Sequence, residues 1–175
     1  MKYMQAPEVS SSFGKIFTLI TWLLLGSGLF WFFQDYLSKQ QNPNQRLQSN
    51  VSGQQISTEL IRNRAGHYLG VAYINGQPIE FLLDTGATTV AISEAAAIKL
   101  GLIKGQPIRV STANGVTTAW RSEIAELKLG LITLTQVPAS IVPNLAGTEI
   151  LLGMSALKQL EFRQQGNQLT LIQTI

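Results

Sequence analysis

The residues with the clearest chemical potential lie in one short run, Phe81-Leu82-Leu83-Asp84-Thr85-Gly86-Ala87-Thr88. A carboxylate follows three apolar residues and is followed at once by a hydroxyl and a glycine. Carboxylates do acid–base work in pairs, one holding a proton while its neighbour does not. The chain has only two aspartates, and the other, Asp35, borders an apolar stretch far upstream with no Thr-Gly after it. Other nucleophiles and bases are scarce. There is no cysteine, which excludes disulfides, thiolate catalysis and Cys-ligated zinc. His67 is the sole histidine and no Gly-x-Ser-x-Gly elbow is present, so neither a multi-histidine metal site nor a Ser-His-Asp triad is expected. His67 reads as a surface or strand-end residue.

The segments around Asp84 read as short strands. Residues 67–74 alternate apolar and smaller side chains, and Asn75-Gly76 follows, a strong hairpin signal. Residues 77–83 return as a second strand that delivers Asp84 at its end. A short strand over 89–92 leads to a helix over 93–100, with Ser93 as cap and Gly101 as stop. Strands over 107–112 and 116–120 flank a second Asn-Gly, at 114–115. Further strands are expected over 123–129, 131–134, 136–142 and 150–153, then a short helix over 154–160. A last hairpin, with strands over 161–163 and 169–172, turns at Gly166-Asn167. Many short strands with regular turn signals predict an all-β barrel or sandwich with one or two short helices. No internal repeat is evident.

The first 60 residues differ from the rest. Ile16–Phe33 is an uncharged run of 18 residues, close to the length that spans a bilayer, with Trp31, Phe32 and Phe33 at one end. A cleaved signal is the competing reading, because Gly26-Ser27-Gly28 offers small residues. Continuation of the run through Phe33 favours an uncleaved anchor. The expected organisation is a tail over 1–15, an anchor over 16–33, a flexible linker over 34–60 rich in Gln, Asn and Ser, and a globular domain over 61–175. In that domain nine Lys/Arg meet Asp84 and six Glu with no basic cluster, so no nucleic acid partner is expected.

The landmarks Leu82-Leu83-Asp84-Thr85-Gly86-Ala87-Thr88, the hairpin Thr112-Ala113-Asn114-Gly115 and the late element Ile150-Leu151-Leu152-Gly153-Met154 occur in an order that resembles the retropepsins. The resemblance covers about residues 61–175, and the N-terminal apolar segment is similar to the bacterial membrane-anchored branch. It implies a small closed β-barrel and an aspartic endopeptidase without metal or cofactor. Asp84 would be catalytic, with Thr85, Gly86, Ala87 and Thr88 supporting its loop. Thr112, Ala113, Asn114 and Gly115 would form a flap over an extended peptide, and Leu151, Leu152 and Gly153 the late apolar-glycine element. Because this chemistry needs two carboxylates and the chain offers one, the second must come from another copy, so a homodimer acting on peptide or protein substrates is expected.

The resemblance also implies that Thr85 bonds the partner's loop, that Gly86 lets the backbone approach the carboxylate closely and adopts angles other residues resist, and that Phe81, Leu82 and Leu83 desolvate the carboxylate pair. Residues 169–175 would join an inter-subunit sheet. Met154-Ser155 departs from the retroviral Arg-Asn after the late glycine. Ala87 replaces a hydroxyl common in pepsin-like enzymes, which implies activity reaching mildly acidic or neutral pH. The linker would be open to self-cleavage, and the protease domain would lie on the outer side of a bacterial inner membrane. The alternative is a catalytically silent peptide-binding or dimerisation module of the same fold.

Overall fold

The computed structural model describes residues 11–112, 115–143, 145 and 150–175. In chain order the elements are α1 (Ser11–Gln41), β1 (Gln48–Ser52), β2 (Gln55–Ile61), β3 (Leu69–Ile74), β4 (Gln77–Leu83), β5 (Val90–Ser93), α2 (Glu94–Lys99), β6 (Pro107–Thr112), β7 (Gly115–Leu129), β8 (Ile132–Val142), β9 (Ile150–Leu152), α3 (Met154–Leu157), β10 (Glu161–Gln165) and β11 (Gln168–Thr174). They fall into two units that divide after Ser38.

The first unit is helix α1. Its residues Gly14–Gln41 are long and apolar enough to cross a membrane, with a mean hydropathy of 1.9 over the most apolar 18-residue window. The helix is apolar on every side, and large side chains such as Leu24 and Trp31 stand exposed. Two of its hydroxyls bond within the helix, Thr18 to the Gly14 carbonyl (2.8 Å) and Thr21 to the Phe17 carbonyl (2.9 Å). They therefore present no unmet donor to an apolar surrounding.

The second unit, Lys39–Ile175, is built on a closed barrel. Its strands run β3-β4-β9-β5-β8-β7-β6, and pairing of β3 with β7 through Tyr73↔Lys128 and Ile74↔Leu127 closes the ring. The strands alternate as expected, and Ile74, Phe81, Ile92, Ile124, Leu127, Ile141, Ile150 and Leu152 are fully buried. Phe81 fills this core. Its ring abuts Gly70, where a Cβ would lie 2.8 Å from the ring edge, so the strand needs glycine there.

The β3–β4 turn has Asn75 at φ 48° and Gly76 at φ 80°, the two left-handed residues of a tight hairpin. Ser93 caps α2 by accepting from the Ala96 amide, and Gly101 at φ 66° ends that turn. The break expected between residues 120 and 123 is absent, because β7 runs unbroken through Leu129. The expected break near residue 135 survives only as Gln136, left-handed at φ 51°, inside one continuous β8.

The span 34–60 is not a flexible linker. Helix α1 continues to Gln41, and β1 and β2 form two strands of a second sheet ordered β1-β2-β11-β10. Its polar composition hides a one-sided strand: Thr58 and Leu60 are fully buried, whereas Glu59 and Ile61 face outward. The sheet is fastened to the barrel by hydroxyls and amides. Thr58 Oγ1 donates to the Leu129 carbonyl (2.9 Å), and the Leu131 amide donates to Ser49 Oγ (3.1 Å). The Gln173 side chain mimics a strand, donating to the Thr133 carbonyl (2.8 Å) and accepting from the Thr133 amide (3.2 Å).

Residues just after α1 are also built in. The Asn44 amide group donates to the carbonyls of Ile61 (2.8 Å) and Leu69 (2.6 Å), and its oxygen accepts from the Ile61 amide (2.7 Å). The compact domain thus begins near Lys39 rather than at residue 61.

One further expectation changes. Strand β11 pairs with β2 along Gln168↔Ile61 to Thr174↔Gln55 and with β10 along its other edge. Both edges of the C-terminal strand are filled within one chain, so it does not have a free edge to offer an inter-subunit sheet.

Candidate active site

Asp84 is the first residue past β4, and hydrogen bonds on both sides fix its place. The Leu83 amide donates to the Tyr68 carbonyl (2.9 Å), and the Asp84 amide donates to the Leu152 carbonyl (3.1 Å). The parallel pairing of β4 with β9, Phe81↔Ile150 to Leu83↔Leu152, brings the catalytic-loop candidate beside the late element. The chain then turns sharply: the Gly86 amide donates to Asp84 Oδ1 (2.8 Å) and the Ala87 amide to the Asp84 carbonyl (3.2 Å). One carboxylate oxygen is thereby oriented by the backbone of its own loop. Asp84 is half-buried, while Thr85, Gly86 and Thr88 are exposed around it.

The expectation for Gly86 is met in one respect and corrected in another. A Cβ at Gly86 would lie 3.1 Å from Asp84 Oδ1, so the approach is close. Its φ lies outside the left-handed region, so proximity and not backbone angle accounts for the glycine.

The late element holds the loop from beneath. A Cβ at Gly153 would overlap the Thr89 carbonyl oxygen and lie 2.6 Å from that of Ala87. Without a side chain there, the Met154 amide reaches the Ala87 carbonyl (2.8 Å) and the Ser155 amide the Thr88 carbonyl (3.1 Å). Leu152 is buried and Leu151 half-buried. Ser155 then makes contacts that the sequence did not signal. Its Oγ accepts from the Val90 amide (2.9 Å) and donates to the Pro138 carbonyl (2.6 Å). Beside it, Thr89 Oγ1 and Ser140 Oγ share a hydrogen bond of 2.8 Å. In sequence Ser155 stood out only as a departure from an asparagine, and Ser140 not at all.

The flap candidate is the β6–β7 hairpin, paired from Pro107↔Trp120 to Thr112↔Gly115. Thr112 Oγ1 donates to the Gly115 carbonyl (2.8 Å), and Gly115 adopts φ 106°. Ala113 and Asn114 lie outside the described residues. Trp120, at the hairpin base, is half-buried against the core with the Lys104 ammonium 4.1 Å from its ring centroid. Lys104 also pairs with Glu94. The Gly105 amide donates to the Arg121 carbonyl (2.8 Å), which anchors the loop before β6 to β7. The structure thus joins Asp84–Thr88 to Leu151–Gly153 by direct bonds, and holds Thr112 and Gly115 at the end of a separate hairpin. His67 is exposed in the loop before β3.

This geometry presents a single carboxylate, oriented by the backbone of its own loop, at the end of a barrel strand. Comparison with known proteins gives the family. The family model described as "gag-polyprotein putative aspartyl protease" matches residues 71–159, just over half of the chain, including Asp84 and Gly153. The crystal structure of a retropepsin-like aspartic protease from Rickettsia conorii superposes with a TM-score of 0.58 at 27% identity, covering 73% of this chain and 96% of that one. No curated protein sequence matches. The barrel, the seat of Asp84 and these matches together establish that the chain belongs to the retropepsin-like, gag-type aspartyl protease family.

Proposed function

We propose that the chain is an aspartic endopeptidase active as a homodimer, with Asp84 of each copy forming one catalytic pair. The observation that carries this reading is the seat of Asp84: a carboxylate with one oxygen oriented by Gly86 N–H, on a loop whose backbone is bonded to Leu152, Met154 and Ser155. In the pair, one carboxylate is ionised and the other protonated. The ionised member takes a proton from a water lying between them as the water oxygen attacks the scissile carbonyl carbon. The protonated member gives its proton to the carbonyl oxygen. Collapse of the resulting diol, with a proton delivered to the amide nitrogen, breaks the C–N bond and restores the pair. Thr85 of each loop would bond the other's loop, and the hairpin at Thr112 and Gly115 would close over an extended peptide.

Ile16–Phe33 would hold the enzyme in a membrane, with the domain on the outer side of a bacterial inner membrane. Confinement there raises the effective concentration of the two copies. Self-cleavage within 34–60 loses its support, because a protease takes an extended, unpaired chain and residues 48–61 are paired in strands. One observation favours the silent-module alternative: β11 offers no free edge for a partner.

The test is cleavage of a diverse peptide library by the full chain in detergent, wild type beside Asp84→Asn, across acid to neutral pH. Cleavage that needs Asp84 and reaches mildly acidic or neutral pH is expected. A folded, dimeric wild type that cuts nothing would leave the silent module. Activity confined to strongly acid pH would contradict the role assigned to Ala87.

A further inference from the structure

Buried hydroxyls are costly unless bonded on both sides, so their positions mark where the fold needs order. Ser140 and Ser155 are 3% and 4% exposed, and both face the loop that carries Asp84. Backbone groups of the late element take the Asp84 amide and the carbonyls of Ala87 and Thr88. The Val90 amide, fully buried at the start of β5, accepts none of that help; Ser155 Oγ satisfies it and passes the bond on to the Pro138 carbonyl of β8. Thr89 is fastened to β8 by Ser140. An alanine at 155 would leave the buried Val90 amide without its side-chain partner and break the link to the Pro138 carbonyl at the end of the loop.

We propose that Ser155, assisted by Ser140, is a positioning residue that presets the Asp84 loop within a single chain. The second copy then supplies its carboxylate to a loop already in order, rather than ordering it. This deepens the protease reading and rests on it for its catalytic consequence, but the loop's order can be measured without activity.

The test compares full-chain wild type with Ser155→Ala, Ser140→Ala and Thr58→Val in the same membrane mimic. Thr58 is an equally buried hydroxyl, bonded to the Leu129 carbonyl in the other sheet, and so controls for general loss of stability. Hydrogen exchange of the amides of residues 84–90 should accelerate about tenfold or more in Ser155→Ala and less in Ser140→Ala, and stay unchanged in Thr58→Val. On a cleaved peptide, Ser155→Ala should lose about 10- to 100-fold in kcat with KM held within about twofold, as expected of a misplaced reacting group. Loop exchange at the wild-type rate in Ser155→Ala overturns the proposal. So does an equal loss in Ser155→Ala and Thr58→Val, which marks a purely structural role. Should Ser155→Ala not fold, Ser140→Ala decides by the same exchange measurement. A wild type that cleaves nothing defeats the protease reading alone, because the exchange result still stands or falls separately.

Discussion

The two loops expected to meet across a substrate are built on opposite plans. The Asp84 loop is bonded at nearly every step to buried backbone or to buried serines. The β6–β7 hairpin reaches away from its anchors at Gly105 and Trp120, with Ser111, Gly115 and Val116 exposed toward its tip. Glycine serves both, for different reasons. Gly153 is required by crowding, since any Cβ would strike the carbonyls of Thr89 and Ala87. Gly115 has open space around it and is required by its φ of 106°. Chemistry that depends on placing a carboxylate needs the first kind of loop. A cover that must admit and release a peptide needs the second.

This contrast can be broken experimentally, beginning with the scaffold under both loops. A chain starting at residue 61 would lack β1 and β2, bare one edge of β11 and lose Leu60 from the core. It is expected to aggregate, whereas a chain starting at Lys39 should fold; circular dichroism and size-exclusion chromatography would separate the two outcomes. Next in size is Gly153→Ala. Overpacking against backbone should cost about 1–3 kcal/mol or more and shift the Asp84 loop, with kcat falling about 100-fold. Gly115→Ala should cost at most about 1–2 kcal/mol of local strain, lower Tm by about 10 °C or less, and act mainly on KM. The smallest effect is expected for Thr112→Val, which removes one exposed bond to Gly115 and should alter stability by under about 1 kcal/mol in chemical denaturation. Equal kinetic penalties for Gly153→Ala and Gly115→Ala would erase the distinction between the loops.

What could be read from the chain follows the same physical division. The barrel was legible because its signals are local: alternation along 77–83, the left-handed Asn75-Gly76 turn, the Ser93 cap and the seat of Asp84 at a strand end. Helix α1 was legible from its uncharged run. The N-terminal hairpin was not, because Gln, Asn and Ser made it look like a tether. Its strands are completed by β11, more than a hundred residues away in sequence. The continuity of β7 and β8 was missed because polar Arg121-Ser122 and Thr135 resemble breaks, yet all three pair in the long β7–β8 ladder. Ser155 and Ser140 were illegible for a related reason. A serine gives no sign in sequence of which backbone atoms it will bond; that is set by the meeting of α3, β5 and β8.

The central claim is that each copy contributes one carboxylate to a shared site. It is tested most directly by mixing full-chain wild type with full-chain Asp84→Asn at equal amounts under conditions that allow exchange of partners. Random pairing leaves about one quarter of dimers with both aspartates, so cleavage should fall to about one quarter of that of the same total amount of wild type. A fall to only about one half, the simple dilution of an enzyme complete within one chain, would contradict it.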